Sequence, residues 1–357
     1  MSEYTLKKTN GLSLCIDWIS FVITKIESVE KALSLFGFST SDFVSLDRGG
    51  YGYSKHLLLN GSNIHVFYEG SNPDMGIYVS ISGTAISCFF ETYKNTLIAN
   101  GFSVDEMSNE DIMRSCLSCI LSLGHFTRFD ASIDDKGCNF FSIDDLALYY
   151  ENNQVISCLR TYDHRRPQVN HKVVGNSLNF GRRSSNTFLR IYDKQLEQNK
   201  KANSEKKIDF QWVRYEFELK NKNADNFVQL FLNGLSYSDC VMGIMNKYFR
   251  IINLDNDNVS RCSVLEKWAA FTQCIFKLRL SIPHEQKSLD EKERWIEQAA
   301  MKTIVALLIR DGGSLDFISK KIPFALHKLA RDKRLCAELG GKSVVTDAIG
   351  YYCHNSW

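Results

Sequence analysis

The chain has 357 residues, of which 44% are hydrophobic, and this is enough to bury ordinary cores in two or three domains. This composition excludes a disordered or fibrous protein. The 43 lysine and arginine residues nearly balance 41 aspartate and glutamate residues, so the net charge of +2 gives no bulk sign of a nucleic-acid partner. Eleven irregularly spaced cysteines, no signal sequence and no apolar run of membrane-spanning length favour a reduced, cytosolic protein without membrane association.

The first hundred residues alternate between strand and helix patterns. Residues 12–23 have the β-branched and aromatic composition of a strand, and residues 28–36 have helical spacing with Ser28 as the N-cap. Three short apolar runs follow, at 55–59, 63–68 and 76–82. Turn sequences rich in glycine, asparagine and serine separate these runs, which predicts an antiparallel meander. We therefore expect an α+β unit over residues 1–105.

A second unit, over residues 106–255, repeats the order of strand and helix. A helix is predicted over 109–123, a strand over 125–135 and another helix after the N-cap Ser142. Two similar α+β halves that form one layered body would account for this recurrence.

The pattern becomes helical from Ala224 onward, and we assign residues 256–357 to a helical C-terminal region. Within it, two helices flank a glycine turn at 311–314, and the second carries Lys320 and Lys328. This arrangement is compatible with a helix-turn-helix whose second helix enters a DNA groove. Any helical hairpin gives a similar pattern, so both interpretations stay open.

Charge is distributed unevenly along the chain. Residues 101–151 contain ten acidic and three basic residues, and residues 160–222 contain fifteen basic and seven acidic residues. Carboxylates that bind a cation, followed by cations that bind a phosphate backbone, would suit metal-assisted phosphate chemistry. Two unrelated charged surfaces would give the same distribution.

Three strong strands each present one apolar and one polar face, because side chains alternate along a strand. The polar faces carry Arg128, Asp130, Ser132 and Asp134, then Arg190, Tyr192 and Lys194, then Arg214, Glu216, Glu218 and Lys220. If these strands are neighbours in an antiparallel sheet, the side chains form one patch whose carboxylates suit Mg²⁺ or Mn²⁺. A solvated sheet face with cross-strand ion pairs would give the same pattern.

Tyr192 is an aromatic residue on the polar side of its strand, where a structural role is hard to assign. Positive charge from Arg190, Lys194 and a bound divalent metal would favour its phenolate and make it a nucleophile. Arginines and a serine on a turn just upstream could hold backbone phosphates beside it. The candidate phosphate contacts are Arg182, Arg183, Ser184 and Arg214.

Seven motifs occur in order between residues 12 and 255. They are IDWIS at 16–20, GYGY at 50–53, MGIYVSISG at 75–83, RFDASIDD at 128–135, FGRRSS at 180–185, LRIYDK at 189–194 and WVRYEFEL at 212–219. This ordered set resembles the Rep-trans replication initiation factors, a family that includes plasmid rolling-circle initiators and relaxases of some integrative conjugative elements. The opening residues and the length are also similar to those of replication proteins from filamentous phages that infect vibrios.

The resemblance implies a relation to the His-hydrophobic-His endonucleases and their ferredoxin-like antiparallel sheet. The chain departs from that pattern because it has no His-x-His motif, so its metal would be bound by carboxylates. It also departs after the motif at 75–83, where TAIS replaces the polar run of the family. That difference leaves the role of the first unit open.

The resemblance implies that Tyr192 is the nicking residue and that Asp130 and Glu216, with Glu218, bind Mg²⁺ or Mn²⁺. Such an enzyme nicks one strand of a double-stranded origin through a single-stranded segment, forms a 5′-phosphotyrosyl link with a free 3′-hydroxyl, and later reseals the strand. A host helicase and polymerase in the cytoplasm of a bacterial host would be its partners. The alternatives are a non-enzymatic origin-binding protein, a relaxase of a conjugative element and a metal nuclease that uses water, and a homodimer stays open.

Overall fold

The structure is a computed structural model that describes residues 5–9, 12–104, 107–201 and 207–272, together with 305, 309, 310 and 312. The chain divides into two compact units, Met1–Pro283 and His284–Trp357. The hairpin expected to form a helix-turn-helix lies, apart from four residues, outside the described residues. No helix in the described ranges is long and apolar enough to cross a membrane.

Fifteen strands occur in the described part of the chain. They are β1 Thr5–Thr9, β2 Leu12–Ile23, β3 Phe43–Leu46, β4 Tyr53–Leu59, β5 Ile64–Gly70, β6 Ile77–Ser82, β7 Gly124–Lys136, β8 Val155–Ser157, β9 Tyr162–Arg165, β10 Gln168–Val169, β11 Lys172–Val173, β12 Ser177–Phe180, β13 Thr187–Asp193, β14 Trp212–Lys220 and β15 Phe249–Ile251. Eleven of them form one large sheet in the order β3-β4-β5-β6-β2-β7-β14-β13-β12-β9, with β1 paired to β2. The pairs β10–β11 and β8–β15 form two small sheets.

Eight α-helices connect or follow these strands within the same ranges. They are α1 Val29–Ser34, α2 Ala85–Ala99, α3 Asn109–Leu123, α4 Ile143–Glu151, α5 Lys194–Lys201, α6 Lys222–Leu232, α7 Tyr237–Tyr248 and α8 Glu266–Thr272, with 3₁₀ turns at Thr40–Asp42, Pro73–Met75 and Val259–Arg261. The predicted N-caps are confirmed, because Ser28 accepts from the backbone of Lys31 and Ser142 forms a capping box with Asp145.

The two halves of the large sheet have the same topology. In the first, β2 is followed by α1, the meander β4–β5–β6 and α2, and the strands lie in the order β4-β5-β6-β2. In the second, β7 is followed by α4, the meander β12–β13–β14 and α6, and the order is β12-β13-β14-β7. β2 and β7 pair antiparallel at the centre, as a two-fold axis normal to the sheet would relate them. The predicted recurrence of strand and helix is therefore present, and one continuous sheet joins both halves.

The helical pattern expected from Ala224 onward is interrupted by β15, so that prediction was wrong at Phe249–Ile251. Phe249 and Ile251 are buried, and the strand pairs with β8. A strand of three residues is too short to show an alternation in the sequence.

One face of the large sheet forms the hydrophobic core against the helices. Apolar residues from alternate positions of the strands, such as Phe21, Phe129, Ile191 and Phe217, belong to a single buried cluster with residues from α2, α3, α6 and α7. The side chains at the intervening positions therefore point to the opposite face. That opposite face carries the predicted polar patch.

Candidate active site

The three strands with polar faces are neighbours in the order β7-β14-β13, as the sequence interpretation requires. In the register, Glu218 lies opposite Asp130 on β7, and Glu216 lies opposite Arg190 on β13. Tyr192 lies opposite Arg214. The pleat thus brings Asp130, Glu216, Glu218 and Tyr192 to one face of three adjacent strands.

Tyr192 is buried, and its hydroxyl lies between a carboxylate and a cation. The phenol Oη donates to Glu216 Oε2 at 3.0 Å, and Lys194 Nζ donates to the same Oη at 3.3 Å. The Arg190 guanidinium lies 4.0 Å from the centre of the tyrosine ring and also donates to Glu216 Oε1 at 3.1 Å. The hydroxyl is therefore fixed in direction by Glu216 on the neighbouring strand β14 and by Lys194 at the start of α5.

Burial and the charge of Glu216 raise the pKa of Tyr192, although Arg214 and Arg190 oppose this shift. The phenol is consequently protonated at neutral pH in this structure. The charges of Arg190 and Arg214 favour the phenolate, but desolvation and Glu216 together outweigh them. A phenol in this position needs a proton acceptor before it can act as a nucleophile.

Asp130 and Glu218 share one cation. Arg128 donates to Asp130 Oδ1 at 2.8 Å through Nε, and its Nη2 lies 3.0 Å from Glu218 Oε2. Lys220 Nζ lies 2.6 Å from the other oxygen of Glu218. Burial raises the pKa of Asp130; Arg128 opposes this, and the negative charges of Glu216 and Glu218 add to it.

The donor chemistry of Asp130, Glu216 and Glu218 fits Mg²⁺ or Mn²⁺, since both prefer carboxylate oxygens. A bound cation would relieve the charge repulsion among these carboxylates, which adds to burial in raising the pKa of Asp130. In this conformation arginine and lysine side chains neutralise the carboxylates instead. Within the described ranges, no three such side chains converge as ligands on one point.

Arg214 is buried in this structure, which corrects its expected role as a phosphate contact. Its side chain has no exposed surface and donates to Asp134 Oδ1 at 2.6 Å and Oδ2 at 2.8 Å. Its Nη1 lies 2.5 Å from Asp17 Oδ1 on β2. A guanidinium enclosed by two carboxylates is a structural ion pair and has no surface left for a phosphate.

Two adjoining clefts open on this face beside Tyr192. The larger, of about 490 Å³, is lined by Asp163, Arg165, Ser177, Asn179, Gly181, Arg182, Arg183, Phe188 and Arg190. The smaller, of about 240 Å³, includes Tyr192 in its lining and shares Arg165, Ser177 and Arg190 with the larger. Arg182, Arg183 and Ser184 are exposed on the turn between β12 and β13, so the structure leaves these three candidate phosphate contacts accessible.

Several residues of this site, among them Ser177, Asn179, Phe188 and Asp17, were not predicted from the sequence. Ser177, Asn179 and Phe188 follow the alternation of β12 and β13, so the pattern that identified Tyr192 could have identified them too. Asp17 gave no such signal, because its contact with Arg214 joins residues 197 positions apart.

Two protein-family models match this chain, and each begins in a different half of the sheet. The model described as the N-terminal domain of rolling-circle replication initiation proteins matches residues 13–99. The model described as replication initiation factor matches residues 124–321, which is more than half of the chain and begins at the first residue of β7. The chain belongs to the replication initiation factor family. The predicted membership of the Rep-trans family is confirmed.

Two relatives of this replication initiation factor cover most of its length. The Bacillus subtilis (strain 168) protein named "Putative DNA relaxase NicK" is 26% identical over 304 residues, which are 83% of this chain and 81% of that protein. The solved structure of a rolling circle replication initiator protein from Geobacillus stearothermophilus has a TM-score of 0.60 at 22% identity, covering 76% of this chain and 98% of that chain. This likeness confirms the predicted α+β fold with a large antiparallel sheet. The narrower resemblance to phage proteins stays a prediction.

Proposed function

We propose that this replication initiation factor nicks one strand of origin DNA and rejoins it through Tyr192. The observation that carries the proposal is the Tyr192 hydroxyl, held by Glu216 and Lys194 in the lining of a cleft bordered by arginines. Nucleophile, proton acceptor and cation within hydrogen-bond reach are the arrangement that covalent catalysis by a hydroxyl requires. The names of the two relatives, a DNA relaxase and a rolling-circle initiator, support the same function.

In the proposed reaction, Tyr192 Oη attacks the scissile phosphorus while the bond from phosphorus to the 3′ oxygen breaks. The phenolic proton passes to Glu216 Oε2, the acceptor 3.0 Å away. The departing 3′ oxygen takes one proton from water and Glu216 releases its proton to water, so one proton moves and none is consumed. The products are a 5′-phosphotyrosyl link and a free 3′-hydroxyl. Because one ester replaces another, attack by the 3′-hydroxyl reverses the reaction and reseals the strand.

Arg190 and Lys194 are proposed to hold the scissile phosphate. Arg190 lines both clefts, and Lys194 contacts the attacking oxygen itself. Their charges would bind the non-bridging oxygens and offset the charge that develops during attack. The same charges would stabilise the phenolate once its proton has moved to Glu216.

Asp130, Glu216 and Glu218 are proposed to hold Mg²⁺ or Mn²⁺. When bound, this ion would draw charge from the non-bridging phosphate oxygens. Binding of the ion would replace the positive charge of Arg128 beside Asp130 and Glu218. Arg128 would then release both carboxylates and turn towards the DNA. Its side chain is partly exposed on the face that carries the clefts.

The proposed partners are double-stranded origin DNA and a single-stranded segment that enters the clefts past Arg182, Arg183 and Ser184. The free 3′-hydroxyl would prime a host polymerase, and a host helicase would unwind the strand in the bacterial cytoplasm. We also propose the division into residues 1–105, residues 106–255 as the nicking unit, and a helical region at 256–357 that binds duplex DNA.

The proposal is tested by incubating supercoiled origin plasmid with the protein and Mn²⁺ and separating covalent adducts in denaturing gels. We expect an adduct that Tyr192→Phe abolishes. Tyr215→Phe is the matched control, because Tyr215 lies on the neighbouring strand, faces the core and has a hydroxyl that finds no hydrogen-bond partner among the described residues. Nicking without an adduct would indicate hydrolysis by water, and binding without cleavage would indicate an origin-binding protein; either result overturns the proposal.

A further inference from the structure

The first half of the sheet carries a cluster of rings that the proposed nicking reaction does not use. Its members, here called the aromatic platform, are Tyr51, His56, His65, Phe67 and Tyr78. His56 stacks on Phe67 with ring centres 4.1 Å apart, and Phe67 stacks on Tyr78 at 5.7 Å. These side chains alternate with the core residues Leu57, Val66 and Val79, so they lie on the sheet face that also carries Tyr192.

Tyr51 is the outermost ring of the aromatic platform. It is 73% exposed and forms T-shaped contacts with Phe67 and Tyr78, with ring centres 5.3 and 5.4 Å apart, so most of its ring remains accessible to solvent. Its backbone has a φ of +53°, a conformation that costs energy for a bulky side chain. An aromatic ring held in solvent by a strained backbone adds little to the stability of the fold. Such strain is typical of functional surfaces.

The glycines around Tyr51 fix its position. A side chain at Gly50 would come within 3.1 Å of the Phe67 ring, and Gly52 has a φ of +85°. Glycine at these two positions therefore lets the turn lie close against the platform with little strain. The GYGY motif at 50–53 is thus explained as a device that places one tyrosine over a stack of rings.

The topology places the aromatic platform where the second half has its candidate active site. β4, β5 and β6 correspond to β12, β13 and β14 in the repeated arrangement of strands. His56, Phe67 and Tyr78 lie on β4, β5 and β6, whereas Tyr192 lies on β13 and Glu216 on β14, the counterparts of β5 and β6. The two surfaces therefore overlap at equivalent strands of one continuous sheet face, with rings on β5 and β6 and the candidate catalytic groups on β13 and β14.

We propose that the aromatic platform binds single-stranded DNA by stacking bases against Tyr51 and the neighbouring rings. The identity of the ligand rests on the proposed function, because the platform continues the face on which we place the nicked strand. Trp18 on β2 continues the aromatic surface towards that site, and the Arg128 guanidinium lies 4.4 Å from its ring centre. Open sheets with aromatic rings on one face suit bases, because every base has a π-face to stack.

The chemistry of the platform favours stacking over charge. His56 Nε2 and His65 Nδ1 lie 2.9 Å apart, which requires one ring to accept a hydrogen bond in its neutral form. Bases held mainly by ring contacts release few counterions, so this part of the affinity should depend little on salt. The arginine-lined clefts beside Tyr192 should show the opposite behaviour.

The spacing of the strands sets the length of DNA that can contact both surfaces. Four strand intervals separate β6 from β13, which is roughly 19 Å at about 4.8 Å for each interval. At a rise of about 3.4 Å for each nucleotide, a strand of about six nucleotides covers this distance. Tyr51 lies just before β4, six intervals or roughly 29 Å from β13, and a labelled thymidine 12-mer of about 41 Å also covers that distance.

The experiment measures binding of the labelled thymidine 12-mer by fluorescence anisotropy in the full chain carrying Tyr192→Phe, so that binding is independent of nicking. We expect Tyr51→Ala to weaken binding about five- to hundredfold with an unchanged salt slope, and Tyr51→Phe to stay within about twofold. Phe102→Ala is the control, because Phe102 is 62% exposed but lies in the turn after α2. Adduct formation with Tyr192 present tests the proposed nicking separately.

Tyr51→Gly separates binding from folding. Glycine adopts a positive φ without strain, so Tyr51→Gly should melt at a higher temperature than Tyr51→Ala, while both lose the same affinity for the 12-mer. Unchanged affinity in folded Tyr51→Ala would overturn the proposal. Conversion of a dimer to a monomer by Tyr51→Ala, at unchanged DNA affinity, would also overturn it and would assign the platform to contact with a second copy of the chain.

Discussion

Arg214 and Asp134 form a buried two-point ion pair on the same sheet face as Tyr192, with distances of 2.6 and 2.8 Å. Because Arg214 also binds Asp17, this contact joins β14, β7 and β2 and so crosses from the second half of the sheet into the first. The pair is remote from solvent and therefore belongs to the architecture of the site. It holds in register the strands that carry Glu216 and Asp130.

Replacing Arg214 should destabilise the fold. Arg214→Met leaves the Asp134 carboxylate buried without its cation, and we expect the free energy of unfolding to fall by about 3–5 kcal/mol in urea titrations. Arg182→Met removes an exposed arginine from a turn and should change stability by less than about 0.5 kcal/mol. Wild-type stability in Arg214→Met, together with weaker DNA binding, would show instead that Arg214 contacts DNA.

Glu216 and Glu218 should differ in how they affect nicking. Glu216 accepts from Tyr192, so Glu216→Gln should lower the nicking rate about 10²- to 10⁴-fold even at saturating Mn²⁺. Glu218 contacts Arg128 and Lys220, and Glu218→Gln should chiefly raise the Mn²⁺ concentration needed for half-maximal rate. Initial rates over a range of Mn²⁺ concentrations separate the two effects. Identical behaviour of both variants would mean that Glu216 acts only as a metal ligand.

The candidate site was predictable from the sequence where it depends on local geometry. Alternation along a strand is fixed by the pleat, which is why Asp130, Glu216 and Tyr192 could be assigned to one face before their strands were known to be neighbours. Alternation does not report whether a polar face is open or covered. Arg214 was therefore expected at the surface, whereas in the structure long-range contacts with Asp134 and Asp17 bury it.

In the N-terminal half of the sheet, too, local elements were predictable from the sequence but contacts between distant segments were not. Its strands and the α1 cap at Ser28 follow from composition and spacing. Tyr51 lies in a turn, Phe67 on β5 and Tyr78 on β6, and these three rings meet only in the folded sheet. The role of the GYGY motif could therefore not be predicted from the sequence. The contacts of Tyr51 with Phe67 and Tyr78 determine where the motif at 50–53 lies on the sheet.

Arg182 and Arg183 should contribute to DNA affinity through charge. Both are exposed on the turn that borders the larger cleft. For each arginine replaced by alanine, we expect the slope of log affinity against log salt to become shallower by about 0.7 for single-stranded DNA. Ser177→Ala, in the same cleft but uncharged, is the control and should leave the slope unchanged. An unchanged slope in both arginine variants would remove these residues from the DNA contact.

The histidine pair of the aromatic platform should make stability depend on pH. Burial lowers the pKa of both His56 and His65, and the charge of His56 lowers that of His65 further. The folded state thus prefers neutral rings; this contribution is complete above the ordinary histidine pKa near 6.5 and is lost as the pH falls through the lowered values. We expect His65→Asn, which keeps a donor towards His56, to lose less thermal stability between pH 7.5 and 5.5 than the wild type.

The control for this prediction is His171→Asn, because His171 is exposed in the turn between β10 and β11 and has a positive φ that asparagine also adopts. It should show the same fall in melting temperature as the wild type over this pH range. A fall of wild-type size in His65→Asn would mean that protonation of the pair does not oppose folding. The loss of stability at low pH would then come from protonation of another group and not from His56 and His65.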